Sequence, residues 1–457
     1  MDKYDVVIVG SGTGGQTAAF DLNEKGVKVA VVEKSDRPGG TCALAGCQPK
    51  KWFYEAAEAI AKSRHLVGRG IAAAPEGNWS QVLRQKRQFT SRIPGGTIEN
   101  LQNAGIDFVA GTATFLDNKT LSVNGKKIQA KFFVLATGAK PMQLPIEGIE
   151  HVITSDDFLE LNELPPSMIF IGGGFISFEF AHFAARLGAS RQQSVILEVS
   201  DRPLGAFDAE MVELLVAASR DEGIEVICSV DIEAIEKHAN EFSVRTVQGD
   251  SFKADLVVHG SGRVPDLDTL GLDAAGIEYS KHGILVDHSL RTSNRRIFAV
   301  GDCAATIQLA RVADQEAHVA AANILAELDN GRSAIMDYRA VPAILFTYPQ
   351  LAMVGQTEDA LKQKGKTYDK SFAKNLSWPT YKRVGLKHAA YKVFVDAKNQ
   401  ILGAHILSDH ASGLINTIKQ AMLNGTTVNE LYQQTLVSPY PTRESDLSYM
   451  LKPLLAK

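Results

Sequence analysis

Two of the chain's four cysteines lie five residues apart, in a segment whose composition suits redox chemistry. Cys42 and Cys47 stand in the sequence GGTCALAGCQPKK, among small residues and just before a helical pattern that starts near Pro49. The positive end of that helix, together with Lys50 and Lys51, is expected to lower a thiol pKa and favour the thiolate. No second Cys/His pair is close in sequence, so the spacing indicates a redox-active pair rather than a zinc site.

A glycine turn near the start of the chain is typical of dinucleotide binding. The apolar run YDVVIV leads into Gly10-x-Gly12-x-x-Gly15, and a helical pattern and a second apolar strand follow. Glycines in this pattern let the backbone approach a pyrophosphate at the N-terminus of the helix. Glu33, at the end of the second strand, stands where a carboxylate accepts hydrogen bonds from a ribose. A tight strand–helix turn without a ligand is the alternative.

A second copy of this pattern follows two prolines in the middle of the chain. The apolar run MIFI leads into Gly172-x-Gly174-x-x-Ser177, in which a small serine replaces the third glycine. Glu198 ends the next strand, and an acid there favours a free ribose 2′-hydroxyl over a 2′-phosphate. The sequence therefore predicts NADH as the preferred coenzyme, while nearby Arg202 keeps NADPH as the alternative.

A further repeat supports two related dinucleotide-binding halves. Residues 131–141 resemble residues 255–265, each an apolar strand that ends in a turn of small residues with a proline shortly after. The order of a glycine turn and then a small-residue turn thus occurs twice, and each half begins as a βαβ unit with parallel strands. Breaks are expected near residues 150 and 267.

The last part of the chain has a different character from about residue 337. Another strand at 297–300, ending in Gly301-Asp302, precedes this change. Beyond it the patterns predict antiparallel strands at 391–395 and 401–406, and helices at 412–424 and 428–434. The predicted fold is therefore α/β, with two Rossmann-like dinucleotide-binding domains and a C-terminal α+β domain.

Composition excludes several classes of protein. The chain has 457 residues, 45% of them hydrophobic and 22% charged, with a net charge of -4. This balance argues against a nucleic-acid partner, which would call for a basic surface. No uncharged apolar run approaches the roughly 18 residues of a membrane span. The few cysteines and the lack of a secretory signal predict a cytoplasmic protein. Cys228 and Cys303 are expected to be core residues, and contact with a cofactor is the alternative for Cys303, which follows Asp302.

Taken together, these motifs resemble the class I pyridine nucleotide-disulfide oxidoreductases, the family of glutathione reductase, dihydrolipoamide dehydrogenase and mercuric reductase. The resemblance covers essentially the whole chain and includes a dimerisation-domain start at FTYPQLAMVG. It implies FAD and NADH, or less readily NADPH, as cofactors and a homodimer with shared active sites. The implied domains bind FAD (residues 1–150 and 268–336), bind NAD(P) (151–267) and dimerise (337–457).

The resemblance also implies individual roles around the flavin. Cys47 lies against the flavin as a charge-transfer thiolate, and Cys42 is the outer thiol that exchanges with substrate. Lys50 sits near flavin N5 and pairs with Glu179, and Phe175 covers the nicotinamide pocket. Gly10, Gly12, Gly15 and Glu33 hold the ADP half of FAD, Thr137 and Gly138 close over it, and Asp302 binds the ribityl chain. Further implied cofactor-binding positions are Gly40, Thr41, Ala113, Gly172, Gly174, Ile176, Glu198 and Gly262.

The chain departs from the family at its C-terminal end. The family's disulfide reductases carry His-Pro-x-x-x-Glu there, an acid/base pair supplied by the partner subunit. Here the stretch is SPYPTRESD, in which Tyr440 or Ser438 takes the histidine position and no imidazole is present. A tyrosine with a pKa of about 10 can donate a hydrogen bond but is a poor base at neutral pH. Packing at the dimer interface is the other role considered for Tyr440, and Glu444 is another possible proton source.

The implied activity is electron transfer from NADH through FAD to the Cys42–Cys47 disulfide and on to a disulfide substrate. No metal site is predicted. Because residues 452–457 contain no cysteine, the mercuric and thioredoxin reductase activities that use a C-terminal pair are not expected. One alternative is a flavin-dependent reductase of quinones or metal ions. A flavin-binding interaction protein is a third possibility, but it would need none of Cys42, Cys47, Lys50 and Glu179.

Overall fold

A computed structural model describes residues 2–188, 193–239, 241–329 and 332–455 of the chain. The last two residues of the cysteine-free tail lie outside these ranges. The chain divides into two compact units. Unit 1 comprises Met1–Trp52, Leu83–Gln143 and Gly262–Asp337, and unit 2 comprises Phe53–Val82, Leu144–Ser261 and Tyr338–Lys457.

The strands are numbered in chain order. They are β1 Asp2–Val9, β2 Val29–Glu33, β3 Asp107–Ala110, β4 Ala113–Phe115, β5 Thr120–Val123, β6 Lys126–Leu135, β7 Ala139–Pro141, β8 Ser167–Ile171, β9 Gln193–Leu197, β10 Ile224–Ile227, β11 Ile232–Lys237, β12 Phe242–Thr246, β13 Ser251–Ala254, β14 Leu256–His259, β15 Arg263–Pro265, β16 Tyr279–Ser280, β17 Gly283–Ile284, β18 Ile297–Ala299, β19 Ala343–Leu345, β20 Gln350–Gly355, β21 Asp369–Lys374, β22 Ala390–Val395 and β23 Ile401–Ser408.

The helices are numbered in the same way. They are α1 Thr13–Asn23, α2 Gly40–Leu44, α3 Cys47–Leu66, α4 Trp79–Thr90, α5 Ile93–Asn103, α6 Ser155–Phe158, α7 Phe175–Leu187, α8 Ala209–Asp221, α9 Ala310–Asp329, α10 Glu358–Gln363, α11 Pro379–Val384, α12 Ala411–Asn424, α13 Val428–Thr435 and α14 Leu447–Leu451. Short 3₁₀ turns occur at Ile149–His151, Leu272–Ala275, Gly301–Cys303 and Lys452–Leu454.

Unit 1 is built on a sheet with the strand order β3-β2-β1-β6-β5-β4, and β18 also pairs with β6. The central strand β1 runs parallel to both β2 and β6, so that Val9 lies opposite Val32 on one side and Leu135 on the other. Val6, Val7 and Ile8 are fully buried, as expected of a parallel strand covered on both faces. The predicted first βαβ unit is therefore confirmed.

Unit 2 contains a second parallel sheet, with the strand order β10-β9-β8-β14. Strands β8 and β9 are parallel, which confirms the second predicted βαβ unit. An antiparallel three-stranded sheet, β11-β12-β13, accompanies it. The sequence patterns did not predict this small sheet.

The C-terminal part of unit 2 is an antiparallel sheet with the order β19-β20-β23-β22-β21. Strands β22 and β23 pair around a turn in which the Asp396 carboxylate accepts hydrogen bonds from the Lys398 and Gln400 backbone N–H groups. Asn399 has a φ of 58°, a left-handed conformation that asparagine tolerates well. The predicted strand pair and the helices α12 and α13 are confirmed to within a few residues.

Candidate active site

Glycines shape the turn between β1 and α1 because neighbouring backbone fills the space that side chains would need. A Cβ at Gly10 would overlap the Ala136 carbonyl oxygen, and one at Gly15 would overlap the Gly10 carbonyl oxygen. Gly10 also has a φ of +109°, which L side chains rarely adopt. Gly40, the first residue of α2, lies so close to this turn that a Cβ added to it would overlap the Cα of Gly12. The cysteine-bearing helix α2 therefore lies directly on the glycine turn.

Glu33 ends β2 with its carboxylate turned back to the same turn. Oε2 accepts hydrogen bonds from the Ser11 backbone N–H at 2.8 Å and the Ser11 hydroxyl at 2.7 Å, and Oε1 accepts one from the Ser35 N–H at 2.8 Å. The same Ser11 hydroxyl accepts a hydrogen bond from Gly39 N–H at 3.1 Å. A carboxylate has about four acceptor positions, so Glu33 keeps capacity for a ribose hydroxyl.

The two cysteines lie on successive helices, Cys42 in the middle of α2 and Cys47 at the start of α3. Cys42 is half-buried in α2, and Cys47 is exposed as the first residue of α3, two residues before the predicted start at Pro49. Their thiols share a hydrogen bond and form no disulfide. That hydrogen bond and burial raise the pKa of Cys42, although the Thr13 hydroxyl opposes the shift. The expectation of a lowered thiol pKa is therefore wrong for Cys42, because its main neighbour is another thiol and not the positive end of a helix.

The other two cysteines differ from each other. Cys303 is fully buried, and its sulfur lies 3.3 Å from the Leu135 carbonyl oxygen, as expected of a packing residue. Cys228 follows β10 and is only half-buried, so the prediction of a core position is wrong for it. The strand pattern ends one residue earlier, at Ile227, and Cys228 no longer belongs to the sheet.

A second group of unit 1 residues gathers where β6, β15 and β18 end. Thr137 and Gly138 follow β6, and Gly138 has a φ of 69°. Asp302 lies in the 3₁₀ turn after β18, where burial raises the pKa of its carboxyl and the charge of Arg263 partly opposes this. The Arg263 guanidinium also donates to the Ala139 carbonyl oxygen at 2.6 Å. Asp302 is half-buried, and Arg263 is the neighbouring charge that acts on its carboxyl.

Three remaining positions of unit 1 that were implied to bind cofactor have different surroundings. The Thr41 hydroxyl lies 3.5 Å from Nη2 of Arg263, one residue after Gly262, so Thr41 faces the group around Asp302. Ala113 is buried in β4, opposite Val123. Lys50 is in the first turn of α3, where its N–H donates to the Gly46 carbonyl oxygen.

The glycine turn of unit 2 repeats the arrangement of unit 1. Gly172 has a φ of +93°, and a Cβ there would come within 2.5 Å of the Ser261 Cα. Gly174 precedes the first turn of α7, which contains Ile176. Ser177 is accommodated by Gly260, since a Cβ at Gly260 would overlap the Ser177 hydroxyl.

Glu198 occupies the place in unit 2 that Glu33 has in unit 1. Its Oε2 accepts a hydrogen bond from Gly173 N–H at 2.5 Å, and its Oε1 accepts one from Ser200 N–H at 2.7 Å. Arg202 is turned to the backbone, with Nη1 donating to the Phe207 carbonyl oxygen at 3.1 Å and Nη2 donating to that of Gly205 at 2.9 Å. The acid therefore faces the glycine turn, while the neighbouring base stabilises its own loop.

Helix α7 carries two further unit 2 residues with implied roles, Phe175 at the nicotinamide pocket and Glu179 as a catalytic residue. Phe175 is its first residue and is 54% exposed. Glu179 is buried one turn later and accepts a hydrogen bond from Phe346 N–H at 3.0 Å. The predicted Lys50–Glu179 pair joins residues of different units and stays a prediction.

Comparison with known proteins agrees with this geometry. The model of the pyridine nucleotide-disulphide oxidoreductase family matches residues 4–317, and the model of that family's dimerisation domain matches residues 341–448. The chain belongs to the class I pyridine nucleotide-disulfide oxidoreductase family.

Individual relatives of this oxidoreductase span nearly all of its length. It is 33% identical to mercuric reductase of Staphylococcus aureus over 97% of this chain and 81% of the relative. It is 31% identical to glutathione reductase of Burkholderia cepacia over 92% of this chain and 93% of the relative. The structure of the HOCl-induced flavoprotein disulfide reductase RclA from Escherichia coli, in a Cu(II) complex, matches with a TM-score of 0.88 and 27% identity over 100% of both chains.

The family establishes the class of chemistry. Its members bind FAD and NAD(P)H, and the relatives support electron transfer from NAD(P)H through FAD to a disulfide. The predicted fold and enzyme class are confirmed, and the alternative of a quinone or metal-ion reductase is not favoured. Among the described residues, no helix combines the length and apolar character needed to cross a membrane. The described part of the chain also holds no cluster of three or more His, Cys, Asp or Glu side chains suited to a metal ion.

The oxidoreductase's atypical C-terminal segment is held onto the end of β23. Tyr440 is 71% exposed in the turn between α13 and α14. Arg443 forms two hydrogen bonds with the Asp409 carboxylate, at 2.7 and 2.9 Å, and next to this pair Nε2 of His410 lies 2.8 Å from Oε1 of Glu444. An imidazole is therefore present beside this segment, although the segment itself contains none.

Sequence reasoning missed three residues with clear roles in these arrangements. Ser11 binds both Glu33 and Gly39, and its only sequence signal is a hydroxyl directly after the first glycine of the turn. Arg263 could have been found from its place beside the repeated small-residue turn. His410 carried no local signal, because its partner Glu444 lies 34 residues further along the chain.

Proposed function

We propose that this enzyme uses NADH to reduce a disulfide substrate, with Cys42 as the exchanging thiol and Cys47 as the thiol beside the flavin. The observation that carries the proposal is the hydrogen-bonded Cys42–Cys47 pair on two successive helices, the first of which starts against the glycine turn. Cys47, at the N-terminus of the 20-residue helix α3, lies where the helix dipole favours a thiolate. Cys42, with its raised pKa, is the thiol that needs a proton acceptor before it can attack.

The residues of unit 1 suit FAD. The overlap that any Cβ at Gly10, Gly15 or Gly40 would cause keeps the turn free of side chains, as the approach of a pyrophosphate requires. Glu33 would accept a hydrogen bond from a hydroxyl of the adenosine ribose. Thr137 and Gly138 would close over the site, and Asp302 would bind the ribityl chain of the flavin. When bound, FAD accepts electrons from the nicotinamide and passes them on to the disulfide.

The residues of unit 2 suit NADH better than NADPH. The Glu198 carboxylate is fixed at the mouth of the second glycine turn, where it would accept from a ribose 2′-hydroxyl and repel a 2′-phosphate. The Arg202 guanidinium already donates to two backbone carbonyls, so it is poorly placed to compensate for this repulsion. Phe175, exposed at the start of α7, would cover the nicotinamide, and Lys50 with Glu179 would serve the flavin.

The proposed working form is a cytoplasmic homodimer with shared active sites. In it, residues 1–150 and 268–336 bind FAD, residues 151–267 bind NADH and residues 337–457 form the interface. The match of the dimerisation-domain model to residues 341–448 supports this arrangement. Tyr440, 71% exposed in the single chain, would reach the partner subunit's Cys42 and donate a hydrogen bond to its sulfur.

An anaerobic experiment tests the proposal as a whole. The purified holoenzyme is reduced with NADH and then mixed, in separate experiments, with a panel of small and protein disulfides, with quinones and with Cu(II). We expect a long-wavelength absorption band to form on reduction and to be discharged by particular disulfides but not by quinones. Discharge by quinones or Cu(II) and by no disulfide would contradict the proposal.

Tyr440→Phe tests the role of the tyrosine separately. Removing the hydroxyl is expected to slow the disulfide half-reaction by about tenfold or more, within the usual range for a positioned proton donor. Hydride transfer from NADH to the flavin should be unchanged. Rapid-reaction traces resolve the two half-reactions, and an unaltered disulfide half-reaction would make Tyr440 a packing residue of the interface.

A further inference from the structure

A lysine is buried among acidic side chains in the C-terminal antiparallel sheet of unit 2. Lys392 lies in β22, and its side chain is only 1% exposed. Its ammonium group lies 2.7 Å from Oδ1 of Asp208 and 3.1 Å from Oε2 of Glu358, and it also donates to Glu210. The side chains of Asp208 and Glu358 are 2% and 11% exposed. The proposed reaction uses none of these four residues.

The groups of this cluster are charged at neutral pH. Burial would raise the pKa of the Glu358 carboxyl, but hydrogen bonds from Lys370 and Lys392 outweigh it and lower the pKa to about 2. Burial would lower the pKa of Lys392, but hydrogen bonds to Asp208 and Glu210 outweigh it and raise the pKa. A buried ammonium group is tolerated only where such partners compensate for its lost hydration. The acids therefore hold the segments that carry them onto β22.

Asp208 stands at a position where aspartate usually caps a helix. It directly precedes α8, but among the described residues its side chain caps no backbone N–H of that helix. Both carboxylate oxygens are used elsewhere, Oδ1 by Lys392 and Oδ2 by the Glu358 N–H at 3.3 Å. Thr427, at the corresponding position before α13, does cap its helix. The Asp208 carboxylate therefore holds the start of α8 to the C-terminal sheet and does not stabilise the helix itself.

Asp208 is also the last residue of the loop that connects β9 to α8. This loop, residues 198–208, is named the coenzyme loop because it begins with Glu198, whose carboxylate accepts a hydrogen bond from the second glycine turn. In its middle, the Leu204 N–H donates to the Gly173 carbonyl oxygen at 2.9 Å. A Cβ at Gly173 would overlap the loop. The coenzyme loop thus contacts the glycine turn at its start and middle and is held to β22 at its end.

The middle of the coenzyme loop has a backbone conformation that needs support. Leu204 has a φ of 51°, in the left-handed region that a leucine seldom adopts. Its side chain is 6% exposed, and its carbonyl oxygen accepts a hydrogen bond from the Phe207 N–H at 2.8 Å. Such conformations persist only where the surrounding structure fixes them, and they concentrate at functional sites. Asp208, four residues further along the chain, is the fixed point of the loop on the α8 side.

We propose that Lys392 is a positioning residue for the NADH site and acts through Asp208 on the coenzyme loop. The proposal rests on the proposed function and adds to it a connection, within unit 2, between the residues assigned to NADH and those assigned to the dimer interface. With Asp208 held, the loop presents Glu198 to the ribose before the coenzyme arrives. If Asp208 were released, binding would have to order the loop, which lowers affinity but leaves the chemistry unchanged.

The principal test variant is Asp208→Ser. Serine is as good an N-cap residue as aspartate, so α8 can be capped while the contact with Lys392 is lost. Lys392→Met is the second variant, and it is expected to lower stability strongly because Asp208 and Glu358 stay buried without this cation. The matched control is Lys370→Met. It removes another lysine from Glu358, at 3.0 Å, and this lysine forms no ion pair with Asp208 in the described structure.

Two measurements on the FAD-loaded enzyme report on the coenzyme loop. The first is hydrogen–deuterium exchange of the backbone amides of residues 198–208, measured without NADH. The second is rapid-reaction reduction of the flavin at increasing NADH concentration, which separates the apparent Kd of NADH from the limiting rate of hydride transfer. Chemical unfolding gives the stability of each variant. None of these measurements requires a disulfide substrate.

We expect Asp208→Ser to speed exchange of the Leu204 amide by about tenfold and to raise the apparent Kd of NADH by about three- to tenfold. The limiting rate of hydride transfer should be unchanged, since the residue acts on binding and not on the transition state. Lys392→Met should change exchange and Kd in the same direction and by at least as much. Lys370→Met should match wild type in both measurements.

Wild-type exchange and a wild-type Kd in Asp208→Ser would overturn the proposal, as would an equal change in Lys370→Met. Lower stability in Lys392→Met with no change in Kd in either variant would also overturn it, because the cluster would then only stabilise the fold. The two proposals fail separately. If NADH does not reduce the flavin of the wild-type enzyme, the proposed function is wrong, whereas wild-type exchange in Asp208→Ser refutes the anchoring of the loop whichever coenzyme binds.

Discussion

The two glycine turns share a hydrogen-bonding scheme but differ in how firmly they hold their acid. In unit 1, Glu33 accepts hydrogen bonds from the backbone N–H groups of Ser11 and Ser35. In unit 2, Glu198 accepts hydrogen bonds from the corresponding N–H groups of Gly173 and Ser200. The first turn adds the Ser11 hydroxyl, which also holds Gly39. The second has Gly173 there, where a Cβ would come within 2.7 Å of Pro203 and 2.9 Å of Glu198.

This difference matches the proposed use of the two sites. The first carboxylate is held by three donors and is connected through Ser11 to the segment that carries Cys42, which suits a cofactor that stays bound during turnover. Among the described residues of unit 2, the second carboxylate accepts from two donors and has no hydrogen bond to a segment that carries Cys42 or Cys47, which suits a coenzyme that must leave after each reaction. Under the proposed function, the same motif would serve a resident dinucleotide in unit 1 and an exchangeable one in unit 2.

The largest difference between the two turns is expected at their third small residue, Gly15 in unit 1 and Ser177 in unit 2. Gly15→Ala places a methyl group on the Gly10 carbonyl oxygen, so we expect a loss of stability above about 4 kcal/mol and protein purified without FAD. Ser177→Ala, at the corresponding position of unit 2, removes a buried hydroxyl that has no hydrogen-bond partner among the described residues. Its stability should stay within about 1 kcal/mol of wild type. Chemical unfolding measures the stability of each variant, and the flavin-to-protein absorbance ratio measures its FAD content. An equal loss of stability in Gly15→Ala and Ser177→Ala would contradict the proposed difference between the two turns.

A smaller loss of stability is expected for Ser11→Ala than for Gly15→Ala. The change removes one hydrogen bond to a charged carboxylate and one to a backbone N–H, together worth about 2 to 4 kcal/mol. We expect a lower free energy of unfolding and faster loss of FAD on dilution. Ser200→Ala is the control, because Ser200 uses its backbone N–H and should change stability by less than about 0.5 kcal/mol. An equal decrease in the free energy of unfolding in the two variants would show that the Ser11 hydroxyl does not stabilise the first turn.

The smallest effect concerns coenzyme choice. Wild-type enzyme should give a higher kcat/KM with NADH than with NADPH, and Glu198→Ala should narrow that ratio by about tenfold or more, since like charges placed together cost several kcal/mol. Glu33→Ala should lower FAD content and leave the coenzyme ratio unchanged. A wild-type preference for NADPH would mean that a base outweighs Glu198.

Local patterns explain how much could be predicted from the sequence. The strands before and after each glycine turn are apolar runs, and so are the two strands of the β22–β23 hairpin, whose turn contains Asp396 and Asn399. The bounds of these strands were therefore predicted to within a few residues. The raised pKa of Cys42 was not predicted, because it arises from the second thiol rather than from the helix nearby. The three-stranded sheet and the His410–Glu444 pair depend on contacts between distant residues, which local patterns do not encode.

The most direct test of the central claim is an anaerobic titration of Cys42→Ser and Cys47→Ser, followed by the long-wavelength absorbance of the flavin. We predict that Cys42→Ser shows the thiolate-to-flavin band even before NADH is added, since no disulfide can form. Cys47→Ser should lack the band at every stage, because its donor is gone, and Cys228→Ser should behave as wild type. The reverse pattern in the first two variants would contradict the assigned roles of the two thiols.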